Sequence, residues 1–189
     1  MHPIDLSAFS HGQIISKLWL CEELEKHVLP NTNINILGGW YNVLGFMLSV
    51  RRPNYYLSIH NTDIDIEAII VADKICQTWM IEGAKIINRM ADCDSDNYAM
   101  NLPIDVVINC SVEHFKNNKW FNSLPTGTLV CIQSSDVIDP EFPWLITQPN
   151  PDIKTFLDRF PVSEVLYSGT KRIQYENYGY NRFMLIGKT

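Results

Sequence analysis

Apolar positions fall first at helical spacing. Ile14, Leu18, Cys21 and Leu24 or Val28 lie on one stripe, predicting a helix from Ser10 to Leu29. Ser10 and Gln13 make a capping-box pattern at its start, and Pro30 and Asn31 stop it. The period then changes. Ile34 to Leu37 reads as a short strand, followed at once by Gly38-Gly39 and a short buried helix over Val43 to Val50. Tyr55 to Ile59 is a second strand, with Asp63-Ile64-Asp65 just beyond its end. From Asp65 to Ile81, Ile69, Ala72, Cys76 and Trp79 or Met80 form one stripe, with acidic residues in the first turn. Lys85 to Asn88 gives a third strand, ending near Asp92.

Ile104 to Asn109 is a fourth strand, apolar enough for burial on both faces. Lys116 to Leu124 predicts a short helix anchored by Trp120 and Phe121, and Pro125-Thr126-Gly127 turns the chain into a fifth strand, Thr128 to Gln133. A helix follows over Asp152 to Phe160. Val162 to Tyr167 and Asn181 to Gly187 are two strands joined by a polar connection containing Gly179, an antiparallel hairpin that finishes the sheet. Strands alternating with helices predict an α/β, doubly wound, mostly parallel sheet. No repeat and no long linker interrupts it, so 1–189 reads as one domain, with 1–30 a helical cover at one edge.

Hydrophobic residues make up 46% of the chain and charged residues 19%, the balance of a folded domain rather than a disordered one. A net charge of −6 lacks the positive field that grips a phosphate backbone, so nucleic acid is disfavoured. The basic pairs Arg51-Arg52 and Lys171-Arg172 read as solvated turns. Five widely spread cysteines form no C-x-x-C, and the histidines show no ligand spacing, so no metal is expected. Asp92, Asp94 and Asp96 resemble the opening of a calcium loop, but its glycine and distant glutamate are missing. With no leader-like start and no apolar run near the ~20 residues that span a bilayer, a reducing cytoplasm is expected and a membrane partner is not.

In an open parallel sheet, ligands bind beyond the carboxyl ends of the strands, near the point where strand order reverses. That rule selects Gly38 to Asn42, Asp63 to Asp65, Asp92, Asn109 to His114, and Gln133 to Asp136. A glycine turn after the first strand lets a nucleotide approach the backbone. A carboxylate after the second strand offers two acceptors to the ribose hydroxyls. Asp63 and Asp65 both suit this, and either also suits capping of the next helix.

The run from Ile34 to Thr189 resembles the class I S-adenosylmethionine-dependent methyltransferases. The segments that carry the resemblance are ILGGWYNVLGF (36–46), TDIDIEA (62–68), MADCD (90–94), DVVINCSVEHF (105–115) and LPTGTLVCIQSSD (124–136). GGWY, INCSVEHF, GTLVCIQSSD and YNRFMLIGK further resemble uncharacterised methyltransferase-like proteins often carried by bacteriophages. The resemblance implies a Rossmann-like seven-stranded sheet, mostly parallel with an antiparallel C-terminal hairpin, and S-adenosylmethionine as cofactor. Gly38 and Gly39 would face the cofactor's methionine part, Asp63 its ribose, Ile64 and Asp92 its adenine. Asn109 and Ser111 would line the methyl-transfer side. The chain departs from the family where an acid would stand two residues before the first glycine, since Ile36 or Leu37 takes its place. Trp40, Tyr41 and Asn42 also crowd positions where alternate glycines belong. Trp40 and Tyr41 either compensate, because an aromatic face attracts a sulfonium by ~0.5–2 kcal/mol, or pack under the sheet.

Methyl transfer is an in-line displacement, helped mostly by holding the reacting atoms collinear. Where the acceptor needs a base, Glu113 and His114 are the candidates beyond the fourth strand. Gln133 to Asp136 and Tyr175, Tyr178 and Tyr180 are candidates for the acceptor's rim, His11 for a lid, and Arg182 for a partner of a rim acid. The expected function is methyl transfer to a small-molecule or unidentified acceptor. The alternative is a catalytically inactive cofactor-binding or scaffold protein of the same fold. A nicotinamide oxidoreductase shares the ribose acid, but G-x-G-x-x-G spacing is not met from Gly38 or Gly39.

Overall fold

The computed structural model describes residues 4–81, 85–95, 98, 105–137 and 146–189, apart from the side chains of 78–81. Seven strands form one sheet: β1 (Thr32–Leu37), β2 (Tyr56–Asp63), β3 (Ile86–Met90), β4 (Val106–Asn109), β5 (Leu129–Ser135), β6 (Glu164–Gln174) and β7 (Gly179–Lys188). Their order is β3-β2-β1-β4-β5-β7-β6. The five strands from β3 to β5 run parallel, and β7 is antiparallel to both β5 and β6. Strand order reverses between β1 and β4, which pair from Ile34↔Val106 to Leu37↔Asn109.

Side chains alternate along the central strands and so feed two cores. Ile34, Ile36, Ile108 and Cys131 pack under α1 (His11–Leu24), α2 (Val43–Arg51) and α3 (Ile66–Ile81). Leu37, Val107, Val130 and Ile132 pack with Trp120 and Phe121 of α4 (Lys119–Asn122) and Phe156 of α5 (Ile153–Arg159). This two-sided covering is the doubly wound arrangement that the alternating pattern predicts.

Several boundaries differ from expectation, each for a local reason. The Ser10 capping box does not form. The Ser10 backbone N–H closes a 3-10 turn, Leu6–Phe9, onto Ser7 O, its side chain makes no cap bond, and Gln13 accepts from Lys17 instead. The first helix also stops early, at Leu24, beyond which the chain tightens into turns through His27. The helix expected from Lys116 begins only at Lys119, whose N–H is held by Asn117 Oδ1 at 2.8 Å. β6 runs on to Gln174 through residues expected to be a polar connection. It is the sheet's edge, wet on one face, so Ser168, Thr170 and Arg172 read as loop by hydropathy. Ile104, the expected start of the fourth strand, lies outside the described residues, as does Asp96.

The basic pairs are not solvated turns: Arg51 ends α2, and Lys171 and Arg172 lie within β6. Arg51 and Arg52 reach the Glu25 carboxylate at 2.8 and 3.8 Å, and Lys171 sits over the Trp19 ring at 5.3 Å. Among the described residues no helix is long and apolar enough to cross a membrane.

Candidate functional site

The reversal between β1 and β4 opens a cleft of about 480 Å³ at the strands' carboxyl ends, within the usual range for small-molecule sites. Its floor is the loop after β1. Three alternate residues there have positive φ: Gly38 at 61°, Trp40 at 52° and Asn42 at 52°. Only the first is glycine. Left-handed backbone costs a side-chain-bearing residue roughly 1–2 kcal/mol, so neighbouring bonds must hold the other two. Trp40 N–H donates to Asp63 Oδ2 at 2.7 Å, and Asn61 Nδ2 donates to Trp40 O at 3.3 Å. Asn42 Oδ1 accepts from Gly45 N–H at 3.1 Å, and its Nδ2 donates to Asn88 Oδ1 at 2.8 Å. Gly39 needs its missing side chain for a different reason: a Cβ there would overlap Asn61 Oδ1 and lie 2.8 Å from Ile36 Cγ2.

Trp40 and Tyr41 both line the cleft and stack at 4.7 Å with planes 28° apart. The Tyr41 hydroxyl accepts from Asp5 N–H at 3.1 Å, pinning the segment before α1. At the end of β2 the two acids divide their tasks. Asp65 Oδ1 accepts from Glu67 N–H at 2.8 Å in the first turn of α3, while Asp63 lines the cleft and ties down the loop. Ile64, 65% exposed, also lines the cleft, as does Asp92, whose Oδ1 accepts from Asp94 N–H at 2.9 Å.

Beyond β4 the chain turns through a 3-10 helix, Val112–His114. Asn109 is fully buried beneath the cleft, where its Oδ1 accepts from Ser111 N–H at 3.0 Å. Ser111 lines the cleft and bridges its two loops by donating from Oγ to Gly38 O at 3.3 Å. His114 lies exposed at the cleft wall. Glu113 is 3% exposed, and its Oε1 accepts from Arg182 Nη1 at 2.9 Å and from Ser135 Oγ at 3.1 Å. Arg182, on β7, also donates to Cys110 O.

Gln133, Ser134 and Ser135 are buried, and neither they nor Asp136, which accepts from Asn181 N–H and Nδ2 at 2.7 Å, line the cleft. Gln133 Nε2 donates to Ser16 O at 3.0 Å, which docks α1 over the sheet. Tyr175 receives the Gly12 N–H at 2.8 Å and stacks on Tyr178 at 4.6 Å, so the tyrosines pack against the start of α1. His11 stands edge-on to Tyr175 at 5.8 Å. Sequence reasoning missed Lys17 and Gln13, which α1 lays along the cleft. Burial pushes the Lys17 ammonium down to about 8, and its side chain donates to Gln13 Oε1. Their i, i+4 spacing was the available signal, but it marks a polar face without saying what that face meets.

No protein-family model matches the chain, and no curated protein sequence matches it. Solved structures do. The YcgJ protein of Bacillus subtilis superposes with a TM-score of 0.68 at 9% identity, over 93% of this chain and 98% of that one. Magnesium protoporphyrin IX methyltransferase of Synechocystis PCC 6803, with bound S-adenosylmethionine, gives 0.61 at 12% identity, over 94% and 79%. TrmK of M. capricolum, in complex with the cofactor product S-adenosyl-homocysteine, gives 0.53 at 15%, over 87% and 66%. The chain has the class I methyltransferase fold. In the loop after β1, Trp40 and Asn42 hold a left-handed backbone that glycine would adopt freely.

Proposed function

We propose that the protein is an S-adenosylmethionine-dependent methyltransferase. The observation that carries this reading is the loop with left-handed residues at 38, 40 and 42, tied to Asp63 at the point of strand reversal. The cleft suits the cofactor in size, and at Gly38 a Cβ would lie 3.0 Å from Phe115 and 3.2 Å from Ser111 Oγ, so the absent side chain lets the loop pack closely against the segment after β4.

Gly38 and Gly39 would pass the methionine part, Asp63 would accept from the ribose hydroxyls, and Ile64 and Asp92 would flank the adenine. The acid common two residues before the first glycine is absent here. The stacked Trp40–Tyr41 pair offers aromatic faces to the cofactor's positive end instead. When bound, S-adenosylmethionine supplies an electrophilic methyl group on a sulfonium. Ser111 and the buried Asn109 would shape the methyl-transfer side, and His114 would take a proton from the acceptor where one must leave. Glu113 would act mainly by holding Arg182 and the backbone around it, since its carboxylate is already engaged.

That engagement also favours a second reading, a cofactor-binding protein of the same fold without turnover. Calorimetric titration of S-adenosylmethionine, S-adenosyl-homocysteine and NAD tests the site. Binding of the first two and not the third supports it. NAD binding that S-adenosylmethionine does not displace overturns it. Transfer of labelled methyl to any lysate component then separates enzyme from scaffold.

A further inference from the structure

We infer that the methyl acceptor carries a carboxylate, and that this group pairs with Lys17. The inference rests on the methyltransferase reading and names the substrate class of that same site.

Its basis is a charge left over on one side of the cleft. Arg182 is neutralised by Glu113 in a pair that is 7% and 3% exposed. Lys17 lines the same end of the cleft, yet its hydrogen-bond partner among the described residues is the neutral Gln13 amide. Among the described residues no carboxylate makes an ion pair with Lys17, and the acids that share its cleft are engaged elsewhere: Asp63, Asp92 and Asp94 accept from backbone N–H groups and Glu113 from Arg182. Lys17 is half-buried at the cleft wall; a partly desolvated ammonium without an anion is unfavourable, and a ligand that enters the cleft can supply the counter-charge. Desolvation already pulls this amine down to about 8.

The chemistry of the missing group follows from the donors. Gln13 Oε1 is used by Lys17, which leaves the Gln13 amide N–H groups and the remaining ammonium protons as donors. One unpaired positive charge with two donor groups fits the two oxygens of a monoanionic carboxylate better than a doubly charged phosphate. Position favours the acceptor as its owner. Lys17 feels Cys110 after β4 and Arg182 on β7, whereas the loop proposed for the methionine part follows β1.

The test is a titration of Lys17 itself. Reductive dimethylation with labelled formaldehyde keeps the lysine charge and gives one carbon signal per lysine. The Lys17 signal is the one missing from Lys17→Gln, or from Lys17→Arg should the first variant fail to fold. Acetate, glycolate and benzoate are added with and without S-adenosyl-homocysteine, and the corresponding amides serve as uncharged controls. The expected result is that at least one carboxylate raises the Lys17 midpoint by about 1 unit or more, while its amide leaves it in place. The inference is overturned if no carboxylate moves the signal, if amides move it equally, or if S-adenosyl-homocysteine alone restores an ordinary lysine midpoint. Failure of S-adenosyl-homocysteine to bind at all is a separate outcome, which overturns the methyltransferase reading and leaves the carboxylate arms to be read without it.

Discussion

The backbone N–H of Trp40 donates to Asp63 Oδ2 at 2.7 Å, so the acid ending β2 holds the loop that follows β1. Its other oxygen accepts from Asp65 N–H at 3.0 Å, at the entrance to α3. Hydrogen bonds to an ionised partner contribute about 1.5–3 kcal/mol. Asp63→Ala should therefore lower stability by roughly that amount in urea denaturation, and weaken S-adenosyl-homocysteine binding about tenfold or more. Asp63→Asn keeps one acceptor and should fall between. Unchanged affinity in a folded Asp63→Ala protein removes Asp63 from the cofactor site.

Trp40 is the bulkiest of the left-handed residues. Trp40→Gly relieves roughly 1–2 kcal/mol of backbone strain and loses the stack on Tyr41, so stability should change little. Affinity for S-adenosylmethionine should drop by about 2- to 30-fold, the range of a cation–aromatic contact. The product, which lacks the sulfonium charge, should lose less. Calorimetry on both ligands reads the ratio, and equal losses would mean that the ring acts by shape alone.

Lys17 is expected to destabilise the ligand-free fold. Its midpoint falls from 10.5 to about 8 on folding, so the unfolded chain binds more protons between those values and stability rises with pH across that window. Below about 8 the penalty is present in full. Lys17→Met keeps the apolar stem and should be more stable at neutral pH by roughly 1–3 kcal/mol. The gap between the two proteins should close as pH approaches 10.5.

The buried thiols act in the opposite direction. Burial raises Cys76 to about 11 and Cys21 and Cys93 to about 12, and Cys131 well above the ordinary 9.0. Above pH 9 the unfolded chain loses thiol protons that the folded one keeps, so stability falls as pH rises. Urea midpoints of Lys17→Met, which lacks the opposing lysine contribution, should show this decline from about pH 9 upward. Cys131→Ala in that background, though less stable overall, should show a shallower one.

Glu113→Gln leaves Arg182 charged and buried, which typically costs about 3–5 kcal/mol. Glu113→Gln with Arg182→Met should recover most of that loss, because no orphan charge remains. If the single variant costs as little as a surface substitution, the pair is not a structural clamp.

The order of elements was legible because hydrophobic period and strand length are local properties. The alternate left-handed loop was not. Glycine is its usual mark, and here hydrogen bonds from Asp63, Asn61 and Asn42 do that work from places that only the folded chain brings together. Edge strand β6 was cut short for a related reason, since its wet face carries the residues of a loop. Gly38, Asp63 and Ser111 could be listed from strand ends by a topological rule. Lys17 could not, because its place depends on how α1 crosses the sheet, a docking set partly by one bond from Gln133 to Ser16 O.

β7 follows the other described strands in sequence yet lies inside the sheet, between β5 and β6. Until it inserts, β5 has an open edge along Leu129–Ser135, the kind of template that invites pairing with another chain. Arg182 lies on the same strand, so the Glu113 clamp closes only once β7 has docked. Early folding must therefore proceed without help from a ligand that needs this end of the cleft. Such a ligand should slow unfolding and leave the refolding rate nearly unchanged.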